Sequence, residues 1–322
     1  MAHDKLSVIK SALPGLNALS RQCKLCGHKC GASRLRGEKG ACLAGQRGAV
    51  YSYSPHPGEE PPLSGTKGSG TIFFTHCNMK CVYCQNFRFS QEEDFDEITN
   101  EELARRMLEL MKMGCHNINL VSPTHYAAQA VHALQIAIEN QLNLPVVYNT
   151  GGYDSIELIK LLDGIVDIYL PDMRYAQNET AEKYSSAPNY AGTNRIILKE
   201  MARQVGELKL NSQGIAEKGL IVRLLILPNN ISDTIETLRF LKEELSPNVY
   251  LSIMSQYHPS YRAKEFPELE RGITKEEYDQ VVNEVGKLGF NNGWIQGYQT
   301  NPYRFLGTRI KPGRFTWTTP SH

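Results

Sequence analysis

The feature that most constrains this chain is its set of cysteines. Seven of the eight cysteines lie before residue 85 of 322, and three form the spacing CxxxCxxC at Cys77, Cys81 and Cys84. Short secreted proteins spread their cysteines through a disulfide scaffold, whereas clustered cysteines in a longer intracellular chain are typical of metal ligands. The sequence therefore predicts a metal or iron–sulfur protein.

A second group of cysteines lies near the N-terminus, in a stretch rich in glycine and basic residues. This N-terminal cysteine group consists of Cys23, Cys26, Cys30 and Cys42. Its four thiolates can close around a structural zinc ion or hold an auxiliary [4Fe–4S] cluster. Zinc is slightly favoured, because such a staple would stabilise a segment with little core of its own. His28 is expected to be solvated rather than a ligand, and Cys115 to lie in the core.

Composition excludes several classes of function. The chain has 35 Lys and Arg against 34 Asp and Glu, a net charge of +1, so it has no broad basic surface for nucleic acid or anionic lipid. No stretch approaches the roughly 18 apolar residues of a membrane span. The first residues lack the cationic start and apolar run of a signal peptide. We therefore expect a cytoplasmic protein that binds neither nucleic acid nor membranes.

Beyond residue 65, short apolar segments alternate with helical patterns. Thr99, with Glu102 three residues later, predicts the start of the first of these helices. The alternation predicts parallel βαβ units in an α/β fold, either a barrel or an open doubly wound sheet. No GxGxxG or GxxxxGK[ST] follows a strand, which disfavours nucleotide-binding sheets. The predicted strands are residues 70–74, 117–122, 145–150, 166–173, 219–228 and 248–257, with a short closing strand at 294–298.

Three regions are predicted along the chain. Residues 1–65 read as an irregular, Cys-rich metal-binding segment that ends in the turn-rich stretch SPHPGEEPPLSG. Residues 66–300 carry the repeated strand–helix pattern, and residues 301–322 are expected to form a tail packed on it.

The CxxxCxxC segment directly follows the first predicted strand. Three thiolates suit three irons of a cubane cluster and leave the fourth iron open, whereas ferredoxin cysteines occupy all four. An open iron can chelate a small molecule and pass it an electron. The alternative is a zinc knuckle completed by His76 or Cys115. A tight loop after a buried strand is where an α/β active site is expected, which favours the cluster.

With Tyr83 just before its last cysteine, the segment FFTHCNMKCVYCQN resembles the radical S-adenosylmethionine (SAM) superfamily. Further segments, INLVSPTHY, YNTGGY, DIYLPDMRY, VRLLILPNN and QYHP, are similar to relatives of the pyruvate formate-lyase activating enzymes. The resemblance implies a partial (β/α)6 barrel with a [4Fe–4S] cluster on the three cysteines at its mouth. SAM bound to the open iron would be reductively cleaved to a 5′-deoxyadenosyl radical that abstracts hydrogen from a substrate.

The resemblance also suggests residues that bind SAM. Tyr83 would lie near the adenine. Relatives carry a Gly-Gly-Glu-like stretch at the end of the second strand, where this chain has Ser122-Pro123-Thr124-His125. The candidates there for holding the methionine ammonium are Ser122, Thr124 and His125.

Activating enzymes place Asp-x-Lys after the fourth strand, where this chain has Asp172-Met173-Arg174. Asp172 would bind the ammonium and Arg174 the carboxylate of SAM, with a structural salt bridge as the alternative. Arg223, inside an apolar strand, needs a partner if it faces inward, either the cofactor carboxylate or a core aspartate. The remaining candidates at strand ends are Asn149 and His258.

The leading function is a radical SAM oxidoreductase of the activating-enzyme type, which abstracts hydrogen from a glycine of a partner enzyme. Family resemblance suggests a low-potential flavodoxin or ferredoxin as electron donor. The same radical could instead modify a small molecule or a peptide, and a non-catalytic iron–sulfur or zinc-binding module is the third alternative. An open barrel side would favour a glycyl substrate, and a closed pocket would favour a small molecule. No side chain is predicted to be the catalytic group itself.

Overall fold

The computed structural model describes residues 2–92, 95–298 and 307–309. The helices are α1 (Ala2–Arg21), α2 (Pro61–Ser64), α3 (Asn100–Lys112), α4 (Ala127–Glu139), α5 (Ile156–Leu161), α6 (Asn178–Ser185), α7 (Tyr190–Val205), α8 (Thr234–Glu244) and α9 (Lys275–Lys287). The strands are β1 (Gly48–His56), β2 (Ser69–Phe74), β3 (Glu97–Ile98), β4 (Ile118–Val121), β5 (Val146–Thr150), β6 (Ile168–Pro171), β7 (Lys209–Leu210), β8 (Ala216–Leu225), β9 (Tyr250–Met254), β10 (Gly293–Gln296) and β11 (Gly307–Arg309).

The strands form one mixed sheet with a parallel centre. Its parallel run is β2-β4-β5-β6-β8-β9-β10, which confirms the predicted α/β fold, its six strands and the short closing strand. Antiparallel β1 covers β2, antiparallel β11 covers β10, and β3 and β7 pair with β1 and β8. Within the described residues, the two ends of this sheet do not pair with each other.

Helices cover the apolar face of the sheet. Helix α3 buries Leu103, Met107 and Leu110 along one stripe, and Thr99 accepts a hydrogen bond from the Glu102 amide, so the predicted helix start is confirmed. The carboxyl ends of parallel strands meet at one edge, where ligands of α/β proteins bind. The loops that follow β2, β4, β5, β6 and β8 therefore lie together.

The prediction of an irregular N-terminal segment is wrong for two stretches, helix α1 and strand β1. Pro14 lies inside α1 and disguises it in the sequence, yet Ile9, Leu13 and Leu16 recur at helical spacing and are buried. These side chains join the core that also contains residues of the sheet. None of the helices described has the length and apolar character to cross a membrane. Apart from β11, the predicted tail at 301–322 lies outside the described residues.

Candidate functional site

The CxxxCxxC loop, residues 77–84, begins three residues after β2 and is anchored to α6. The Lys80 amide donates to the Ser185 carbonyl over 2.8 Å, and the Val82 amide donates to the Tyr184 carbonyl over 2.9 Å. Polar groups also approach each sulfur of the loop. They are the Met79 amide at 3.4 Å from Cys77 Sγ, Ser185 Oγ at 3.0 Å from Cys81 Sγ, and Ser90 Oγ at 3.4 Å from Cys84 Sγ.

Burial disfavours the charged form of two cysteines of this loop, Cys77 and Cys84. It raises the pKa of the Cys77 thiol to about 12, with the nearby Cys81 as a secondary cause, and it also raises the pKa of Cys84. A bound metal reverses this balance, because its positive charge stabilises the thiolate. The donor set therefore suits a metal cluster and is poorly suited to hold free thiolates.

Tyr83 belongs to this loop, and its side chain is buried, with 3% exposed. Its hydroxyl is 2.6 Å from the Tyr175 hydroxyl, which is 2.7 Å from Ser185 Oγ. Ser185 in turn donates to Cys81 Sγ, so a buried chain of hydroxyl groups ends at a cysteine. Contact between Tyr83 and an adenine stays a prediction.

A buried ionic cluster lies at the carboxyl ends of β6 and β8. Asp172 accepts from Arg174 Nη2 over 2.5 Å and from Arg223 Nε over 2.7 Å, and Arg223 also donates to Asn149 Oδ1 over 2.6 Å. Burial alone would raise the pKa of Asp172, but Arg223 and Arg174 outweigh it and hold the pKa below its usual value. Arg223 thus has the core aspartate as its partner, and the salt-bridge alternative for Asp172 and Arg174 is observed.

Arg174 connects this cluster to the CxxxCxxC loop. Its Nη1 is 3.5 Å from Cys81 Sγ, while Nη2 binds Asp172. Its Nε is buried without a hydrogen-bond partner in the structure. A buried, unsatisfied donor is costly, so this nitrogen suits an anionic ligand that the polypeptide does not supply. The residues present therefore fit a carboxylate-bearing cofactor beside Cys81.

The residues that follow β4 differ in burial: the first lies at the carboxyl edge of the sheet, and the next ones lie in the interior. Ser122 is half-buried, has a φ of 55°, and its amide donates to the Asn149 carbonyl over 2.8 Å. Thr124 is buried and donates to Asp154 Oδ1 over 2.8 Å. His125 Nε2 is 2.8 Å from the Thr75 carbonyl oxygen. The Thr124 hydroxyl and His125 Nε2 are thus bonded to protein groups, whereas His125 Nδ1 is buried without a hydrogen-bond partner. The role of both residues in binding SAM stays a prediction.

The other candidates lie in different positions. His258 Nδ1 is 3.2 Å from the side chain of Gln85, which adjoins the CxxxCxxC loop. His76 Nδ1 is 3.0 Å from both Thr75 Oγ1 and the Tyr126 hydroxyl. Cys115 is buried as expected, but it lies near Gly70 at the start of β2, whereas the CxxxCxxC loop follows the end of that strand. It is therefore badly placed to complete a zinc knuckle.

Sequence reasoning missed three buried carboxylate groups, two of which lie near the ionic cluster. Glu59 Oε2 is 3.8 Å from Arg223 Nη1, and burial raises the pKa of the adjacent Glu60 to about 7 although Arg223 opposes the shift. Asp154 is fully buried and accepts from Thr124, Thr150 and Tyr148. Glu59 and Glu60 lie in a turn-rich stretch that has no sequence signal of burial.

The N-terminal cysteine group lies beside the CxxxCxxC loop. His28 is half-buried rather than solvated, and its Nε2 is 2.9 Å from the Asn78 carbonyl oxygen. In the described part of the chain, no three His, Cys, Asp or Glu side chains are grouped closely enough to hold a single metal ion. Cluster cysteines each bind a different iron, so an iron–sulfur cluster does not require such a grouping.

Comparison with known proteins identifies the family. The model of the Radical SAM superfamily matches residues 71–241, more than half of the chain. The chain belongs to the radical SAM superfamily. Its cofactors are accordingly a [4Fe–4S] cluster and SAM, and the protein is an enzyme. The match runs from β2 to α8 and thus includes the CxxxCxxC loop and the Asp172–Arg174–Arg223 cluster.

Two proteins of Methanocaldococcus jannaschii are similar over most of the radical SAM chain. The uncharacterized protein MJ0674 is 32% identical over 281 residues, which cover 84% of this chain and 76% of the relative. The uncharacterized protein MJ0808 is 26% identical over 305 residues, which cover 84% and 83%.

Two solved structures show a weaker similarity to this chain. Streptococcus suis SuiB bound to S-adenosylmethionine has a TM-score of 0.48 and 11% identity, with 69% of this chain and 48% of SuiB covered. Methylornithine synthase (PylB) has a TM-score of 0.47 and 16% identity, with 69% and 62% covered. The chain therefore spans about half of SuiB.

Proposed function

We propose that this radical SAM enzyme abstracts a hydrogen atom from a glycine of a partner protein, as glycyl-radical activating enzymes do. The observation that carries the proposal is the placement of Arg174. This residue contacts Cys81, is neutralised by Asp172, and keeps a buried Nε without a partner. One edge of the sheet thus combines cysteines for a cluster with a free donor for a carboxylate.

In this proposal Cys77, Cys81 and Cys84 hold the [4Fe–4S] cluster. Together, reduced cluster and SAM supply a radical that can take a hydrogen atom from carbon. Arg174 Nε donates to the SAM carboxylate, and Asp172 accepts from its ammonium through lone pairs that its two arginines leave unused. Ser185 donates to Cys81 Sγ and stabilises the thiolate. These contacts hold the cofactor in position and exclude water from it.

The shape of the sheet supports a peptide substrate. Its end strands, β3 and β11, do not pair with each other within the described residues, and a sheet left unclosed in this way would let a substrate approach this edge from the side. A loop carrying glycine can enter such an opening, whereas a small molecule would be better retained by a closed pocket. One electron comes from a low-potential flavodoxin or ferredoxin, and the glycine Cα loses one hydrogen atom.

The test uses the reconstituted full chain, dithionite, SAM and pyruvate formate-lyase labelled with α-deuterated glycine. We expect deuterium in the 5′-deoxyadenosine product and a glycyl signal in the electron paramagnetic resonance spectrum. Cleavage of SAM without deuterium transfer would overturn the glycyl substrate but leave the radical chemistry standing. Failure to cleave SAM at all would overturn both.

A further inference from the structure

Arg34 is a buried cation with cysteine sulfurs as neighbours. It is 3% exposed, and its Nη2 donates to Cys23 Sγ over 3.3 Å and to Cys42 Sγ over 3.4 Å. Its Nη1 donates to the His125 carbonyl, and none of the ion pairs found in the described residues supplies it with a carboxylate. A buried guanidinium without a counter-charge is strongly disfavoured. The nearest groups that can become anionic are these two cysteines.

The chain brings the rest of the N-terminal cysteine group to the same place. The Cys23 amide donates to the Ala32 carbonyl and the Gly31 amide donates to the Cys23 carbonyl, which folds the segment back on itself. A side chain at Gly40 would approach Cys30 Sγ to 2.4 Å, so the segment leading to Cys42 packs directly against that sulfur. Glycine at this position therefore permits a close approach of the two halves of the group.

We infer that Cys23, Cys26, Cys30 and Cys42 hold a second iron–sulfur cluster, and that Arg34 balances its charge. Neutral thiols would leave the buried guanidinium uncompensated. Metal binding removes a proton from each thiol. The described residues hold no grouping tight enough for a single ion, which favours an iron–sulfur cluster over zinc at these cysteines. Four thiolates around an oxidised [4Fe–4S] cluster keep a net negative charge, which supplies the counter-charge that Arg34 lacks.

This centre is attached directly to the CxxxCxxC loop. His28 contacts the carbonyl oxygen of Asn78, and Asn78 Nδ2 donates to the Tyr153 carbonyl over 3.0 Å. The Gly27 amide donates to that same carbonyl over 3.1 Å, and a Cβ at Gly27 would lie 2.2 Å from the Tyr153 ring. Since Gly27 and Asn78 each adjoin a cysteine, the second centre braces the loop that carries Cys77.

Metal content tests the inference without any measure of activity. The triple variant Cys77→Ala/Cys81→Ala/Cys84→Ala leaves only the N-terminal cysteine group. After anaerobic reconstitution it is expected to retain about four irons with sulfide per chain. Cys115→Ala, a buried cysteine outside both groups, is the control for folding and should match wild type. A folded triple variant that retains no iron, with or without zinc, would overturn the inference.

Arg34→Gln tests the charge balance. Removal of a partner that orients metal ligands typically weakens metal binding by about 10–100-fold, so this variant should lose its N-terminal metal to a chelator at correspondingly lower concentration. Exposed Arg36→Gln is the matched control, and Arg34→Lys should restore most of the retention because it keeps the charge. Equal retention in Arg34→Gln and Arg36→Gln would contradict the role of Arg34, as would a failure of Arg34→Lys to improve on Arg34→Gln.

Discussion

The CxxxCxxC loop and the N-terminal cysteine group each place an arginine against cysteine sulfur, but only one arginine has a carboxylate partner. Arg174 reaches Cys81 while bound to Asp172, whereas Arg34 reaches Cys23 and Cys42 and donates otherwise to a backbone carbonyl. The first arginine is neutralised before any ligand binds. The second arginine, Arg34, can be neutralised only if the neighbouring cysteines carry negative charge.

The presence or absence of a carboxylate partner indicates two different roles for an arginine that contacts cysteine sulfur. At the CxxxCxxC loop the paired Arg174 keeps one nitrogen for a ligand that enters and leaves. At the N-terminal cysteine group, Arg34 suits a permanent resident, because its counter-charge would vanish if the metal were lost. A neutralised arginine is therefore consistent with a substrate or cofactor site, and an unpaired one with a structural or electron-carrying centre.

The largest expected effect on stability comes from removing the carboxylate partner that distinguishes Arg174 from Arg34. Asp172→Asn would leave Arg174 and Arg223 buried without their shared carboxylate. We expect the free energy of unfolding in urea to fall by about 3–5 kcal/mol. The control is Asp279→Asn, which removes an exposed partner of Lys275 and should cost less than about 1 kcal/mol. Similar losses in the two variants would contradict the assigned role of Asp172.

His125 lies between the two regions and gives a pH-dependent test. Burial lowers its pKa to about 3 from an ordinary value of 6.5. The unfolded chain therefore binds a proton that the folded chain refuses, and stability falls as the pH drops below 6.5. Relative to His125→Gln, wild type should lose about 2 kcal/mol of unfolding free energy between pH 7 and pH 5. A difference between the two proteins that is independent of pH would show that His125 does not titrate as proposed.

The smallest expected effect concerns the hydrogen bond from Ser185 to Cys81. Ser185→Ala removes a donor that stabilises the thiolate more as the cluster gains an electron. The reduction potential of the reconstituted cluster should therefore fall by an amount on the order of tens of millivolts. Ser20→Ala, whose hydroxyl donates within α1, is the control and should leave the potential unchanged. An unchanged potential in Ser185→Ala would remove Ser185 from this role.

Most of the fold could be predicted, because strand and helix patterns are local. The apolar runs placed β2, β4, β5, β6, β8 and β9 correctly, and the spacing of three cysteines led to the family. Helix α1 was missed because Pro14 outweighed a periodicity that only packing against α4 and α5 makes decisive.

The ionic groups could be predicted only in part. Arg223 in an apolar strand demanded a partner, and Asp172 is that partner. Arg34, Glu59 and Glu60 gave no such signal, because they lie in polar, turn-rich stretches where exposure is the default. Their burial follows from how the segment before β2 packs against the sheet, which no local pattern encodes.

The central claim is most directly tested by anaerobic reconstitution of the full chain, reduction with dithionite, and quantification of 5′-deoxyadenosine and methionine. Wild type and Cys115→Ala should form both products in equal amounts, while Cys77→Ala should form neither. Electron paramagnetic resonance must first show that the wild-type cluster is loaded and reduced. A reduced wild-type cluster that leaves SAM intact, or a Cys77→Ala variant as active as wild type, would contradict the account.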